Sequence, residues 1–371
     1  MKLIYTIILF LTAWASSLFG AKTLDFYFID TELGNAVLVV TPSGQAMMLD
    51  TGQPGDEFVD RVMKVIRMAG VKQLDYVIVS HYHWDHFGTI PGIAKQIPIL
   101  NYVDHGRDVN VNASKEYYER YGGGPRDKLF EDYAKTRDSG GGKHIVPKPG
   151  DHIAMKDIDV QILTCAGHLL LEPLPGAGAL NPGCALTSPR TEDTSEDGQS
   201  ISKLVTFGKF RYVDFGDLTW NKEYRLFCPR NMVGTADVYV ITHHGISQDM
   251  KAAGMWEWGR ASAPPAEIRG IHPRVAVLLS REDYVGRVST PEAWRDTRSS
   301  PGLEDIWQIH YEAQGGKRNN APDQFIANLS TVDCQAHYIK LSAEMDGSFT
   351  MTNSRNGFTK RYPARATEVK K

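Results

Sequence analysis

The chain has 371 residues, 42% of them apolar and 23% charged, with a formal net charge of −3. That composition suits a globular protein with a sizeable core. The charge excludes a surface that is basic overall, so a DNA-wrapping role is disfavoured and no nucleic-acid partner is indicated.

The first residues stand apart. Lys2 precedes an apolar run from Leu3 to Ala15, and small residues follow at Ala15, Ser16, Ser17, Gly20 and Ala21. This is the layout of an export signal. The run is shorter than the ~20 residues that cross a bilayer. The expectation is a signal peptide over residues 1–21 and a periplasmic or extracellular destination, with no transmembrane segment beyond the signal. Four cysteines occur, Cys165, Cys184, Cys228 and Cys334. In an oxidising compartment they predict one or two disulfides, and the spacing leaves the pairing open.

Leu24 to Asp30 and Ala36 to Val40 read as strands around a Glu32-Leu-Gly34 turn. Ala46 to Asp50 is a third, after a turn at Thr41-Pro-Ser-Gly44. Asp56 to Ala69 repeats apolar residues at helical spacing, and Gly70 stops it. Leu74 to Ser80 is the next strand, and it runs into His81-Tyr-His83-Trp-Asp85-His86. Three imidazoles and a carboxylate in six positions make a dense ligand cluster for a borderline divalent metal, zinc first. The mouth of a strand is where α/β sheets keep their sites.

Ile97 to Val103 reads as a strand ending in Asp104-His105-Gly106. From about 107 to 143 the composition turns polar. Ser114 to Arg120 and Arg126 to Arg137 predict two helices between glycine runs, an insertion near the site. Strand-and-turn pattern resumes to Thr164, with Gly167-His168 just beyond. Leu174 to Gly198 has no periodicity and reads as a loop. Ser200 to Phe207 and Phe210 to Asp214 form a hairpin closed by Gly216-Asp217. Ala236 to Thr242 is a strand running into His243-His244-Gly245, and Pro273 to Ser280 is another. The tail, 291–371, mixes short helices and strands, with a hairpin across Asp346-Gly347. It is expected to pack on the same domain.

The H-x-H-x-D-H run resembles the signature of the metallo-β-lactamase superfamily. The pieces strand-Gly216-Asp217 and strand-His243-His244-Gly245 are spaced as in its ComEC-type and phosphorylcholine-esterase-like branch, and the resemblance covers residues 24 to 285. It implies an α/β (α+β) fold, the αββα sandwich of two mixed sheets flanked by helices, in a domain over 22–290. It implies two metals, zinc first, with Mn2+ or Fe2+ also compatible. His81 and His83 would hold the first; Asp85, His86 and His243 the second; Asp217 would bridge. Asp50 of Asp50-Thr51-Gly52 would prop the metal loop. Many members add a first-metal histidine, often within T-x-G-H. Here Thr164-Cys-Ala-Gly-His168 and Asp104-His105-Gly106 supply His168 and His105 as candidates. His243 follows Val240-Ile-Thr as His81 follows Ile78-Val-Ser, so His243 is assigned as ligand and His244 as the proton-transfer residue behind it.

The function so implied is a metal-dependent hydrolase in which a metal-activated hydroxide, oriented by Asp85, attacks a small-molecule or anionic ester. A phosphoester or phosphodiester is favoured, with Ser200, Ser202 and Lys203 placed to contact an anion. Hydrolysis of a lactone or β-lactam is the second reading. A mono-iron redox or non-catalytic member is the third, and no flavin domain or rubredoxin-like cysteine set supports it.

Overall fold

A computed structural model of the chain describes residues 23–109, 126–247, 261–280, 291–312, 316–330, 332 and 334–366. The expected signal peptide and the first insertion helix, Ser114 to Arg120, lie outside the described residues. Among those described, no helix is long and apolar enough to cross a membrane.

The first sheet has nine strands. β1 (Leu24–Phe28), β2 (Ala36–Val40) and β3 (Ala46–Thr51) form an antiparallel meander. β4 (Tyr76–Ile78), β5 (Asn101–Val103) and β6 (Lys143–Ile145) then extend it in parallel. In the second sheet, β7 (His152–Ile153), β8 (Asp159–Cys165), β9 (His168–Leu169), β10 (Ser202–Phe207) and β11 (Phe210–Asp214) are antiparallel. β12 (Val238–Val240), β13 (Val275–Leu278), β14 (Asp305–His310) and β15 (Ile326–Asn328) follow in parallel. The chain then returns to the first sheet with β16 (Ile339–Ala343), β17 (Phe349–Asn353) and β18 (Thr359–Tyr362), β16 pairing with β1. Both sheets are therefore mixed, and the tail contributes strands to each.

The strands of the first sheet read as unbroken apolar runs because both faces are covered. Phe26, Phe28, Val37, Val39, Met47 and Leu49 face the second sheet. Their neighbours Tyr27, Leu38 and Met48 face an outer helical layer. Across the sandwich the Phe26 and Tyr212 rings sit 4.5 Å apart. The helix Asp56–Met68 makes the crossover that the parallel pair β3–β4 requires. Asp56 and Glu57 in its first turn and Arg67 in its last complement the helix dipole. Its inner face buries Phe58, Val59, Val62, Met63, Val65 and Ile66, at roughly 1.5–3 kcal/mol per large apolar side chain.

Of the polar insertion, Arg126–Ser139 is a helix. Tyr133 anchors it: the ring is fully buried and the hydroxyl donates to Asp104 Oδ2 at 2.7 Å. The helices Trp220–Phe227, Pro265–Ile271 and Pro291–Arg298 place Leu226, Ile268, Ile271 and Trp294 on the core of the second sheet. The result is two sheets face to face with helices outside. A disulfide joins Cys184 to Cys228, tying the long loop after β9 to the end of Trp220–Phe227. Cys165 and Cys334 are free.

Candidate metal centre

Strand ends from both sheets meet at one edge of the sandwich. The chain leaves β4 through Ser80, and His81 is the first residue of the turn. Asp85 and His86 sit on the short helix Trp84–Phe87. From the second sheet, the chain leaves β11 through Gly216 to Asp217. Gly216 has φ +61°, and a Cβ there would lie 2.8 Å from the Ser80 Cβ. Only glycine permits this approach of the two loops. Gly34 does the same on the other side, since its Cβ would meet the Asp85 carbonyl oxygen at 1.7 Å.

Asp50, at the end of β3, organises the first loop. Its Oδ1 accepts the Ser80 amide at 2.6 Å. Its Oδ2 accepts the Ser80 hydroxyl at 2.8 Å and lies 2.9 Å from His86 Nδ1. Because Ser80 spends its one proton on Asp50, its oxygen must accept from His81 Nδ1, 3.0 Å away. His81 and His86 thus both donate from Nδ1, which leaves each Nε2 pointing into the site. The same logic holds for His244, whose Nδ1 donates to the Leu279 carbonyl at 2.8 Å. Second partners of this kind fix the tautomer of metal-binding histidines.

The Nε2 atoms converge. His86 Nε2 and His244 Nε2 face each other at 3.3 Å. Asp217 Oδ2 lies among the rings, 3.3 Å from His86 Nε2, 3.5 Å from His243 Nε2, 3.5 Å from His244 Nε2 and 3.7 Å from His81 Nε2. Burial pushes the Asp217 carboxyl up, but the facing His86, His243 and His244 outweigh it and hold it well below the usual carboxylate range. Burial, reinforced by the charge of His86, holds His81 well below the ordinary imidazole range.

Two groups of donors at this edge could each hold a metal ion, apart from a third, Asp30, His310 and Cys334, elsewhere in the described residues. One comprises His81, His83, Asp197 and Asp217, the other Asp85, His86 and His244. Asp197 was not foreseen. It comes from the loop read as featureless, on a short 3-10 turn Asp197–Gln199. Its Oδ1 lies 2.9 Å from His83 Nδ1 and 3.5 Å from His81 Nε2. Neither of its oxygens, nor His81 Nε2, has a hydrogen-bond partner of proper geometry, though all are buried. Stranding polar atoms this way costs free energy unless something satisfies them, and a divalent cation would satisfy all of them at once.

Glu196 holds this turn against the metal loop. Its Oε1 accepts the Tyr82 amide at 2.9 Å and meets His105 Nε2 at 2.5 Å, and its Oε2 accepts the Val109 amide at 3.3 Å. His105 therefore supports the loop that carries Asp197 and does not itself join either donor group. His168 lies on β9 and is exposed, outside both groups. The structure brings together His81, His83, Asp85, His86, Asp217, His243 and His244.

The two adjacent histidines divide differently from the expectation. Both take left-handed backbone, φ 52°, a strained conformation for a residue with a side chain. This turns His244 Nε2 inward beside Asp85 and His86, whereas His243 Nδ1 contacts Ser262 Oγ at 3.1 Å and only its Nε2 reaches Asp217. We expect His244→Ala to lower metal content and His243→Ala to leave it nearly unchanged; elemental analysis of the two variants checks this.

Lys203 corrects a second expectation. It is fully buried and paired with Asp214 at 3.1 Å, so it cannot meet a substrate. Ser202 Oγ donates to the Phe215 carbonyl, and Ser200 Oγ accepts the Asp217 amide. All three stiffen the strand that presents Asp217. All three are buried, and Ser202 and Lys203 lie on β10, an interior strand paired with β8 and β11.

Beneath the His243–His244 turn lies a buried carboxyl pair, Glu223 and Glu267. Burial, then the charge of Glu267 and a hydrogen bond to it, push Glu223 well above the usual range. A raised native value means that stability is fully present below the unfolded value and is lost as pH rises through the native one. Glu223→Gln, which removes that titration, is expected to gain thermal stability over the wild type by a few °C as pH goes from 5 to 9; melting curves at both pH values test it.

The sequence model of the metallo-beta-lactamase superfamily matches residues 29–169, the stretch containing Asp50 and the whole His81–His86 run. Residues 29–169 thus match that superfamily, and the two mixed sheets with flanking helices are consistent with its sandwich fold. No curated protein matches it by sequence. Among solved structures it is similar to the metallo-beta-lactamase fold protein YhfI from Bacillus subtilis, at 12% identity over 76% of this chain and 95% of that one, TM-score 0.44. It is also similar to Zn(2+)-bound PqqB from Methylobacterium extorquens, at 12% identity over 65% and 75%, TM-score 0.37. A third is a diphosphatase from the PhnP family, at 11% identity over 73% and 81%, TM-score 0.37.

Proposed function

We propose that this chain is a hydrolase with a two-zinc centre, acting on a phosphoester or phosphodiester. The observation that carries the two-metal reading is the pair of donor groups meeting at Asp217, with buried atoms of His81 and Asp197 that lack hydrogen-bond partners and with His86 Nε2 and His244 Nε2 facing each other at 3.3 Å. Imidazole and carboxylate donors without thiolate suit zinc. His81, His83, Asp197 and Asp217 would hold one ion; Asp85, His86, His244 and Asp217 the other.

When bound, such a pair of ions lowers the pKa of water and polarises the substrate oxygen. The chain's own residues do the rest. Asp217 Oδ2, central among four imidazoles, spans both groups. Asp85 Oδ2, 3.5 Å from His244 Nε2, is the carboxylate at the mouth placed to accept a proton from the attacking water. Asp50 and the Leu279 carbonyl keep His86 and His244 in the tautomer that leaves Nε2 open. Glu196 prevents the Asp197 turn from drifting away.

The phosphoester preference rests on the Gly216-Asp217 and His243-His244-Gly245 pieces. Bis-p-nitrophenyl phosphate and a chromogenic cephalosporin, offered to zinc-loaded protein, separate it from β-lactam hydrolysis. Turnover of the first alone is expected; turnover of the second alone refutes the preference. We also propose export, supported by the Leu3–Ala15 run and the Cys184–Cys228 bond. N-terminal sequencing of the mature protein should begin between residues 18 and 22; an intact Met1 contradicts it.

A further inference from the structure

Behind the Asp197 turn lies a cavity of about 510 Å³ that the chemistry above leaves unused. Its walls come from three places: Arg107 and Val109 beyond β5, Gly167 and His168 on the β8–β9 turn, and Gln199 with Lys222. Its lining is tied to the metal loop at two points. Gln199 is two residues from Asp197, and the Val109 amide shares the Glu196 carboxylate with the Tyr82 amide, between His81 and His83.

The charge of the lining is one-sided. Arg107, Lys222 and the His168 imidazole line it, and no carboxylate does. Lys222 is held in place: its Nζ donates to the Gly167 carbonyl at 3.0 Å and pairs with Glu192 Oε1 at 2.5 Å. Arg107 is exposed and makes no ion pair or hydrogen bond among the described residues. An unpaired guanidinium beside a fixed ammonium favours a compact oxyanion, which the planar fork can grip through two hydrogen bonds. A Cβ at Gly167 would lie 3.3 Å from Gln199 Oε1 and 3.6 Å from Lys222 Nζ, so glycine leaves room beside both.

We propose that this cavity binds a second, terminal phosphate-like group of the ester cleaved at the metal centre. The inference rests on the hydrolase reading and narrows it: the substrate is a phosphoester that carries another oxyanion beyond the scissile bond. Arg107 is the specificity-determining residue, and His168 adds a weaker contact. His168 thus belongs to the substrate side of the site.

The test has a binding arm and a kinetic arm, both on zinc-loaded full-length protein. Calorimetric titration with inorganic phosphate should show affinity falling on the order of tenfold in Arg107→Ala, with partial recovery in Arg107→Lys and a smaller loss in His168→Ala. In the kinetic arm, KM for a p-nitrophenyl diester bearing a terminal phosphate should rise about tenfold in Arg107→Ala at unchanged kcat. Bis-p-nitrophenyl phosphate, which lacks that group, should be turned over equally by both. Equal phosphate affinity in wild type and Arg107→Ala overturns the subsite. Phosphate binding that depends on Arg107 in a protein that cleaves neither ester overturns the hydrolase reading instead and leaves an anion site without it.

Discussion

Asp217→Ala is expected to abolish turnover and to strip the centre of at least one metal ion. Among the described residues, Asp217 Oδ2 is the one carboxylate oxygen within 3.7 Å of His81, His86, His243 and His244 together. Removing it leaves the imidazoles of both groups without the anion that spans them. A fall in kcat/KM of about 10³-fold or more corresponds to ~4 kcal/mol of lost transition-state stabilisation. The fold should survive, because Asp217 lies past the end of β11 and the core between the sheets is untouched. Circular dichroism with elemental analysis separates loss of metal from loss of structure. Full activity in a folded Asp217→Ala protein would sink the two-metal mechanism.

Asp197→Ala comes second in expected effect. Here the loss should be selective: the group of His81 and His83 is emptied, while Asp85, His86 and His244 keep theirs. Metal content should fall from two ions to one per chain, with activity down about 10²-fold or more, ~3 kcal/mol. Restoring imidazole donors cannot replace this residue from where His105 and His168 stand. His105→Ala should act more mildly, through Glu196, at the 10–100-fold scale typical of residues that orient ligands. If His105→Ala instead removed a metal ion while Asp197→Ala kept both, the assignment of the first group would be wrong.

Much of this site was legible in the chain. The His81–His86 run, Asp217 after Gly216, and the histidine pair after β12 each follow a strand, and strand ends are where period-two apolar runs stop. What failed had physical reasons. Asp197 lies in a stretch rich in Pro, Gly, Ser and Thr, where no periodicity reports burial. Its only sequence signal is an acidic run, Glu192-Asp193 and Glu196-Asp197, which equally describes a solvated loop. The Cys184–Cys228 bond and the hold of Glu196 on the Tyr82 amide turn that loop inward, and both are long-range contacts. The donor grouping favours His244 over the expected His243, because analogy with β4 assumes ordinary backbone after the strand. Two consecutive left-handed residues rotate the pair, and nothing local in the sequence announces that. Lys203 was expected to meet an anionic substrate, but the anion it meets is Asp214, in the interior, and that pairing across β10 and β11 leaves no local mark.

The fold was read more fully than the site. The meander, the helix Asp56–Met68 and the β10–β11 hairpin follow from period and turn residues alone. The return of the tail to pair β16 with β1, some 300 residues away, did not follow from local pattern, since strand pairing at that separation leaves no local mark.

Metal content tests the two-metal centre most directly. Elemental analysis of purified wild type and Asp197→Ala, after loading with zinc and exhaustive dialysis, should give two zinc ions per chain in the first and one in the second. A single iron in the wild type, or two zinc ions retained in Asp197→Ala, would contradict it.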